Sequence, residues 1–258
     1  MIKISVVIIT LNEERNIGRC IDSVSEIADD IVIVDSYSAD RTTEIARSKG
    51  ARVIEHTFGG HIEQKNYAIT QALYPHILSL DADEALSEEL IASIRSIKAS
   101  WRCDGYEMNR LTSYCGKWIR HSGWYPDRKL RLWDSRMGHW GGINPHDKYI
   151  MDSGSSILRL KGDIFHYSYY SVEDHLKQID KFSSIAADAY YRRNRKNTFL
   201  LMLLSPFAAF LRQYFINLGF LDGHYGFIIC RNCAYEKRLK YKKLRGIYHR
   251  ERLNKSCK

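Results

Sequence analysis

Three acidic segments, each placed directly after an apolar run, constrain this chain more than any other feature. Thr10-Leu11-Asn12-Glu13 follows Ile4–Ile9, Asp35-Ser36-Tyr37-Ser38-Ala39-Asp40 follows Ile31–Val34, and Asp81-Ala82-Asp83-Glu84 follows Ile77–Leu80. Continuous aliphatic runs of this length read as buried strands, and the stretches between them carry helical spacing, as in Ile17, Cys20, Ile21, Val24 and Ile27. Alternating strand and helix patterns predict βαβ units and an α/β fold with a parallel sheet. Parallel strands bring their carboxyl ends to one edge, so the acids behind them converge on one crevice. That crevice suits a divalent metal and a nucleotide diphosphate.

The remaining local signals fill in this frame. Asp40 is placed to cap a helix over 41–49 that Gly50 ends, and Arg52–Glu55 reads as a third strand. A helix over Ile62–Leu73 stops before Pro75, and another runs over Leu86–Lys98 with Ser87 as its cap. Periodicity weakens from Trp101 to Leu160, where short strands such as 105–108 and 129–133 sit among loops. It becomes helical again from Val172 to Arg193.

Charge is unevenly divided. Residues 1–100 carry 10 Lys/Arg against 16 Asp/Glu, whereas the remainder carries 29 against 14. An acidic first part and a basic second part suggest a catalytic metal site joined to an anionic partner. Six cysteines lack a framework spacing and no apolar leader precedes them, which points to a reducing cytosol. Cys230 and Cys233 read as ordinary helix cysteines. No Gly-x-Gly-x-x-Gly follows the first strand and no P-loop motif occurs, which argues against dinucleotide dehydrogenases and P-loop NTPases.

An Asp-x-Asp alone is weak evidence, and Asp81, Asp83 and Glu84 are also acceptable as turn and helix-entry residues. The convergence with two other strand ends raises their value, because Mg²⁺ or Mn²⁺ is commonly held by one or two carboxylates plus substrate phosphates. Asp35 is placed to accept from a base or ribose. Lys65 is placed to counter a diphosphate, its alternative being an exposed helix lysine.

Together, Ser5–Glu13, Val34-Asp35-Ser36-x-Ser38-x-Asp40-Arg41-Thr42, Gln64-Lys65-Asn66 and Leu80–Glu84 resemble family 2 glycosyltransferases of the GT-A fold. Gly116–Arg120, Gly123–Asp127, Lys129–Trp133, His166-Tyr167-Ser168 and Gly219–Gly223 with Gly226-Phe227 are similar to a narrower branch, the bacterial lipopolysaccharide core β-1,4-glucosyltransferase type. The resemblance implies a GT-A (Rossmann-like) catalytic domain over 1–165, with a nucleotide-sugar half (1–100) and an acceptor half (101–165). A helical, basic C-terminal region (166–258) follows. It implies metal-dependent, inverting transfer of a hexose from a nucleotide-diphosphate sugar, uridine by resemblance, to a glycolipid hydroxyl. Leu11, Asn12, Glu13 and Asp35 are then expected at the nucleoside, Asp81 at the ribose, and Asp83 at a Mg²⁺ or Mn²⁺ ion. The family's His-Glu pair is matched by His146-Asp147, which makes Asp147 the candidate base with an acid one methylene shorter.

Trp118, Arg120, Trp124, Arg131 and His146 are the candidate acceptor residues: aromatic faces suit sugar rings and Arg forks suit phosphates. The competing reading packs most of the tryptophans into the core. The same interleaving would also serve a non-catalytic module binding nucleic acid or anionic glycolipid, although no nucleic-acid motif supports that and no nucleic-acid partner is expected. A pyrophosphorylase reading fails at the first turn, which has no glycine until Gly18. Phe199–Leu211 is too short to span a bilayer. Flanked by Arg192, Arg193, Arg195, Lys196 and Arg212, it suits either an interfacial segment or a helix pair packed on the protein. The expected setting is peripheral, on an anionic cytoplasmic face of a bacterial inner membrane.

Overall fold

The computed structural model describes residues 1–143, 146–195 and 198–256, with side chains at all of these except 143, 146, 198 and 254–256. Lys196, Cys257 and the His146 side chain therefore lie outside the described residues. Contacts divide the chain into two units, Met1–Leu111 with Pro126–Tyr167, and Thr112–Tyr125 with the chain from Ser168 onward.

The elements run β1 (Ile4–Thr10), α1 (Ile17–Val24), β2 (Asp30–Asp35), α2 (Thr42–Ser48), β3 (Arg52–Glu55), α3 (His61–Thr70), β4 (His76–Asp81), β5 (Glu84–Leu86) and α4 (Glu88–Ala99). After these come β6 (Gly105–Tyr114), β7 (Lys117–Trp118), β8 (Asp127–Asp134), β9 (Gly138–Ile143), β10 (His146–Met151) and β11 (Ile157–Tyr169). The main sheet has the order β3-β2-β1-β4-β8-β6-β11-β5. β3, β2, β1 and β4 are parallel, and β8 joins β4 antiparallel. β1, β2 and β4 are buried on both faces, as strands flanked by helices must be, which accounts for their unbroken aliphatic runs. One core joins the sheet to α1 and α4 through Ile8, Ile21, Leu80 and Ile94; another joins Val7, Val34 and Ala68 to Trp133, Trp140 and Tyr149.

Local chemistry sets the helix ends. The Asp40 carboxylate accepts the Thr42 N–H at 3.0 Å, the Ser87 hydroxyl accepts the Leu90 N–H at 3.3 Å, and Gly50 turns left-handed at φ +81° after α2. α3 ends at Thr70, earlier than the expected Leu73, because side chains take the next amides: Asp30 accepts from Leu73 N and Ser5 from Tyr74 N, both at 3.0 Å. The β9–β10 ribbon was not legible, since Gly138-His-Trp-Gly-Gly lacks alternation. It is held by the Trp133–Tyr149 ring stack at 3.9 Å.

In the second unit, α5 (Val172–Arg192), α6 (Thr198–Leu211), a π turn (Arg212–Ile216), a 3₁₀ turn (Gly219–Asp222) and α7 (Gly223–Ser256) follow one another. The basic tail is a single 34-residue helix, and Cys230 and Cys233 are free thiols within it. Buried Asp222 clasps the segment around β7: its carboxylate accepts from Arg120 N at 3.2 Å, His121 N at 3.0 Å and the Ser122 hydroxyl at 3.2 Å. A Cβ on Gly226 would stand 2.0 Å from the Gly219 carbonyl oxygen, so only glycine permits this approach.

Beside this clasp, His175 Nδ1 lies 3.0 Å from the Tyr114 hydroxyl and 3.2 Å from Asn232 Nδ2. Burial lowers its pKa from 6.5 to about 4, so the imidazole is neutral in the fold. The unfolded chain binds this proton more readily, so the contribution of His175 is full above about pH 6.5 and is lost as pH falls toward 4. Urea-unfolding midpoints should decline across that interval in the wild type and stay flatter in His175→Gln.

Candidate active site

The strand register delivers the convergence that the acidic segments predict. Thr10 stands opposite Asp35, and Ile9 opposite Asp81, so three strand ends open on one edge of the first unit. At its centre the Lys65 ammonium lies 3.0 Å from Asp81 Oδ1 and 2.9 Å from Asp147 Oδ2. Lys65 is 5% exposed, which removes the reading of an ordinary surface lysine. Each residue of Gln64-Lys65-Asn66 serves a different neighbour. Gln64 Nε2 donates to the Ser36 hydroxyl after β2, Lys65 reaches the two acids, and Asn66 exchanges hydrogen bonds with the Trp140 backbone at 2.9 and 3.0 Å. Asn66 thus fixes β9, whose partner β10 carries Asp147 opposite Gly142.

A second cation lies behind the first. Arg131 Nη2 donates to Asp81 Oδ2 at 2.7 Å and to Glu84 Oε1 at 2.9 Å. Arg131, expected at the acceptor, is instead buried against these acids, because Glu84 has no exposed side-chain surface and needs a charged partner. Burial alone would raise the Asp81 pKa, but Arg131 and then Lys65 hold it well below the usual carboxylate range. Its contribution to stability is therefore present at neutral pH and is lost only as pH falls below about 4, through the folded value.

Asp83 stands apart from that network. Its Oδ2 is 3.1 Å from His166 Nε2, and its carbonyl accepts the Tyr167 N–H at 2.9 Å. β11 pairs with β5 so that His166 is opposite Glu84, which explains how residues 83 positions apart meet. Sequence reasoning assigned no role to His166, because no local spacing links it to the acidic segment. Glu13 lies close enough to feel Asp83; burial chiefly raises its pKa, the neighbouring acids Asp83 and Asp40 add to the rise, and the Asn16 amide donates to it at 2.7 Å. Among the described residues no group of three or more acids, histidines and cysteines gathers around one point. A carboxylate oxygen and an imidazole nitrogen nevertheless fit a divalent cation whose remaining ligands are phosphate oxygens and water.

The other expected nucleoside residues divide. Leu11 is half-exposed, and Asn12 is exposed at a left-handed φ of +55° with its Oδ1 accepting from Ala39 N at 2.8 Å. Asp35 is completely enclosed: its carboxylate accepts from Ser38 N at 2.7 Å and the Ser38 hydroxyl at 2.5 Å, which organises the Ser36–Ser38 turn. Trp118, Arg120 and Trp124 belong to the second unit. Trp124 packs among the rings of Tyr114, Tyr169 and His175, whereas Arg120 is exposed and stacks on Tyr125. Trp133 and Trp140 are buried core residues, as the packing alternative has it.

Arg131→Met should leave buried Glu84 and half-buried Asp81 undercompensated. The expected loss is about 3 kcal/mol or more in urea unfolding at pH 7.

Comparisons with known proteins show the family. The model of the family described as glycosyl transferase family 2 matches residues 5–147. An uncharacterized glycosyltransferase of Rickettsia typhi is 32% identical over 96% of this chain and 88% of its own length. The lipopolysaccharide core biosynthesis glycosyltransferase LpsC of Rhizobium meliloti is 28% identical over 87% and 85%. The crystal structure of S. aureus TarS aligns with a TM-score of 0.47 at 17% identity, over 84% of this chain and 45% of that one. With its acids gathered at the ends of parallel strands and the family pattern running from Ser5 to Asp147, the chain belongs to the family 2 glycosyltransferases and has their GT-A fold.

Proposed function

We propose that this enzyme moves a hexose, with inversion, from a nucleotide-diphosphate sugar to a hydroxyl of a lipopolysaccharide core or related glycolipid, working peripherally on the inner face of a bacterial inner membrane. The observation that carries the reading is the joining of Asp81, Lys65 and Asp147 at one strand-end edge, with Asp83 and His166 beside them. The relative LpsC, named for lipopolysaccharide core biosynthesis, supports the acceptor class.

Single-step inversion requires a proton acceptor on the face of the sugar opposite the leaving group. Asp147 takes that role, and its carboxylate is oriented by the Lys65 ammonium. Lys65 is the cation proposed to meet a diphosphate, while buried Arg131 holds Asp81 in place behind it. Asp83 and His166 would hold Mg²⁺ or Mn²⁺. When bound, the ion offsets negative charge on the departing diphosphate. Leu11, Asn12 and Glu13 border the nucleoside position. The exposed Arg120 of the second unit suits an anionic group.

Release of nucleoside diphosphate from a panel of sugar nucleotides, with and without a lipopolysaccharide core extract, tests this reading. Slow release of one donor should disappear with EDTA and in Asp83→Ala. Asp147→Asn should keep donor affinity while transfer falls about a hundredfold or more. Wild-type turnover in Asp147→Asn would remove Asp147 from the mechanism.

A further inference from the structure

A helix packed on a soluble protein turns polar residues outward. α6 does not. Two stripes alternate along it: Leu201 and Met202 pack with Ala187, Tyr241 and Leu244 of α5 and α7, while the opposite stripe is exposed, with only Phe199 at its edge meeting α7, under Arg245. That outer stripe holds Phe199, Leu200, Leu203, Leu204 and Phe207, and Ile216 continues it on the π turn; all six are at least 55% exposed. The helix continues past the expected end at Leu211 through the π turn, so Phe199–Ile216, with a mean hydropathy of 1.6 and none of it buried, is by length and composition long and apolar enough to cross a membrane rather than too short to do so. A contiguous apolar face of this kind marks an interaction surface.

Charge identifies the occupant. No acid occurs between Asp188 and Asp222, and five cations do. Arg192, Arg193 and Arg195 before the helix and Arg212 after it are exposed. A second copy docked isologously, α6 against α6, would bring the same cations and no acid from this segment to meet them, whereas an anionic bilayer supplies both an apolar interior and negative headgroups. The orientation follows from two features. Arg212 sits within the apolar stretch, and α6 packs along α7, which carries Arg231, Lys237, Arg238, Lys242 and Arg245. Standing α6 across a membrane would draw these charges into hydrocarbon.

We propose that the outer stripe of α6, continued by the π turn, is a monotopic docking surface that lies in the interfacial plane of an anionic membrane. The proposal deepens the glycolipid reading and rests on it for its biological purpose, but the surface can be tested separately.

Co-sedimentation of the full chain with vesicles of phosphatidylcholine, alone or mixed with phosphatidylglycerol, reads it directly. The wild type should bind mixed vesicles at least about tenfold more tightly than neutral ones. Leu204→Glu/Phe207→Glu should lower that binding about a hundredfold, with unchanged far-ultraviolet dichroism and unchanged donor hydrolysis in lipid-free solution. Arg192→Ala/Arg193→Ala should lose the preference for anionic lipid alone. Wild-type vesicle binding by the Glu variant overturns the proposal, as does a wild type that ignores both vesicles. Self-association abolished by the Glu variant would give the face to a second copy and overturn it too. Vesicle binding without turnover of any donor would support the docking surface and count against the acceptor reading.

Discussion

The Lys65 ammonium is the interaction on which the catalytic unit turns. It is buried, so its charge must be met, and the two carboxylates that meet it come from elements far apart in sequence: Asp81 at the end of β4 and Asp147 on β10. Arg131 from β8 shares Asp81 and meets Glu84, and Arg110 also meets Glu84, so three cations face three acids. Each member would be costly to bury alone; together they fix the spacing between the strand-end acids and the ribbon. Asp83 escapes this network and is left with His166, which is why the two aspartates of one short motif suit different tasks.

The second unit follows a similar principle with different chemistry. A single buried acid, Asp222, gathers the backbone amides of Arg120 and His121, and glycines at 219 and 226 allow the backbones to meet closely enough for this. Aromatic rings around His175 fill the interior beneath. The surface that remains on α6 is apolar where a soluble helix would be polar, and its borders are cationic.

Features whose causes are local were legible in the sequence. Aliphatic runs gave β1, β2 and β4; Asp40, Gly50 and Ser87 gave helix ends; and parallel topology placed the acids on one edge. Features made by distant pairs were not. Nothing near Arg131 marks it as the partner of Glu84, 47 positions away, and its basic, aromatic neighbourhood suggested an acceptor site instead. Asp35 reads as a ligand contact because it ends a strand; that Ser38, three residues later, also holds its carboxylate was not legible. The meeting of His166 with Asp83 became visible only when β11 paired with β5.

Calorimetric titration of nucleoside diphosphates into the full chain, with Mn²⁺ or with EDTA, bears most directly on the claim that the acidic edge holds a metal-bound sugar-nucleotide donor. The predicted result is saturable binding of one diphosphate that needs the ion and is lost in Asp83→Asn while the fold is intact. Equal binding in EDTA and in that variant, or no binding of any diphosphate, would contradict it.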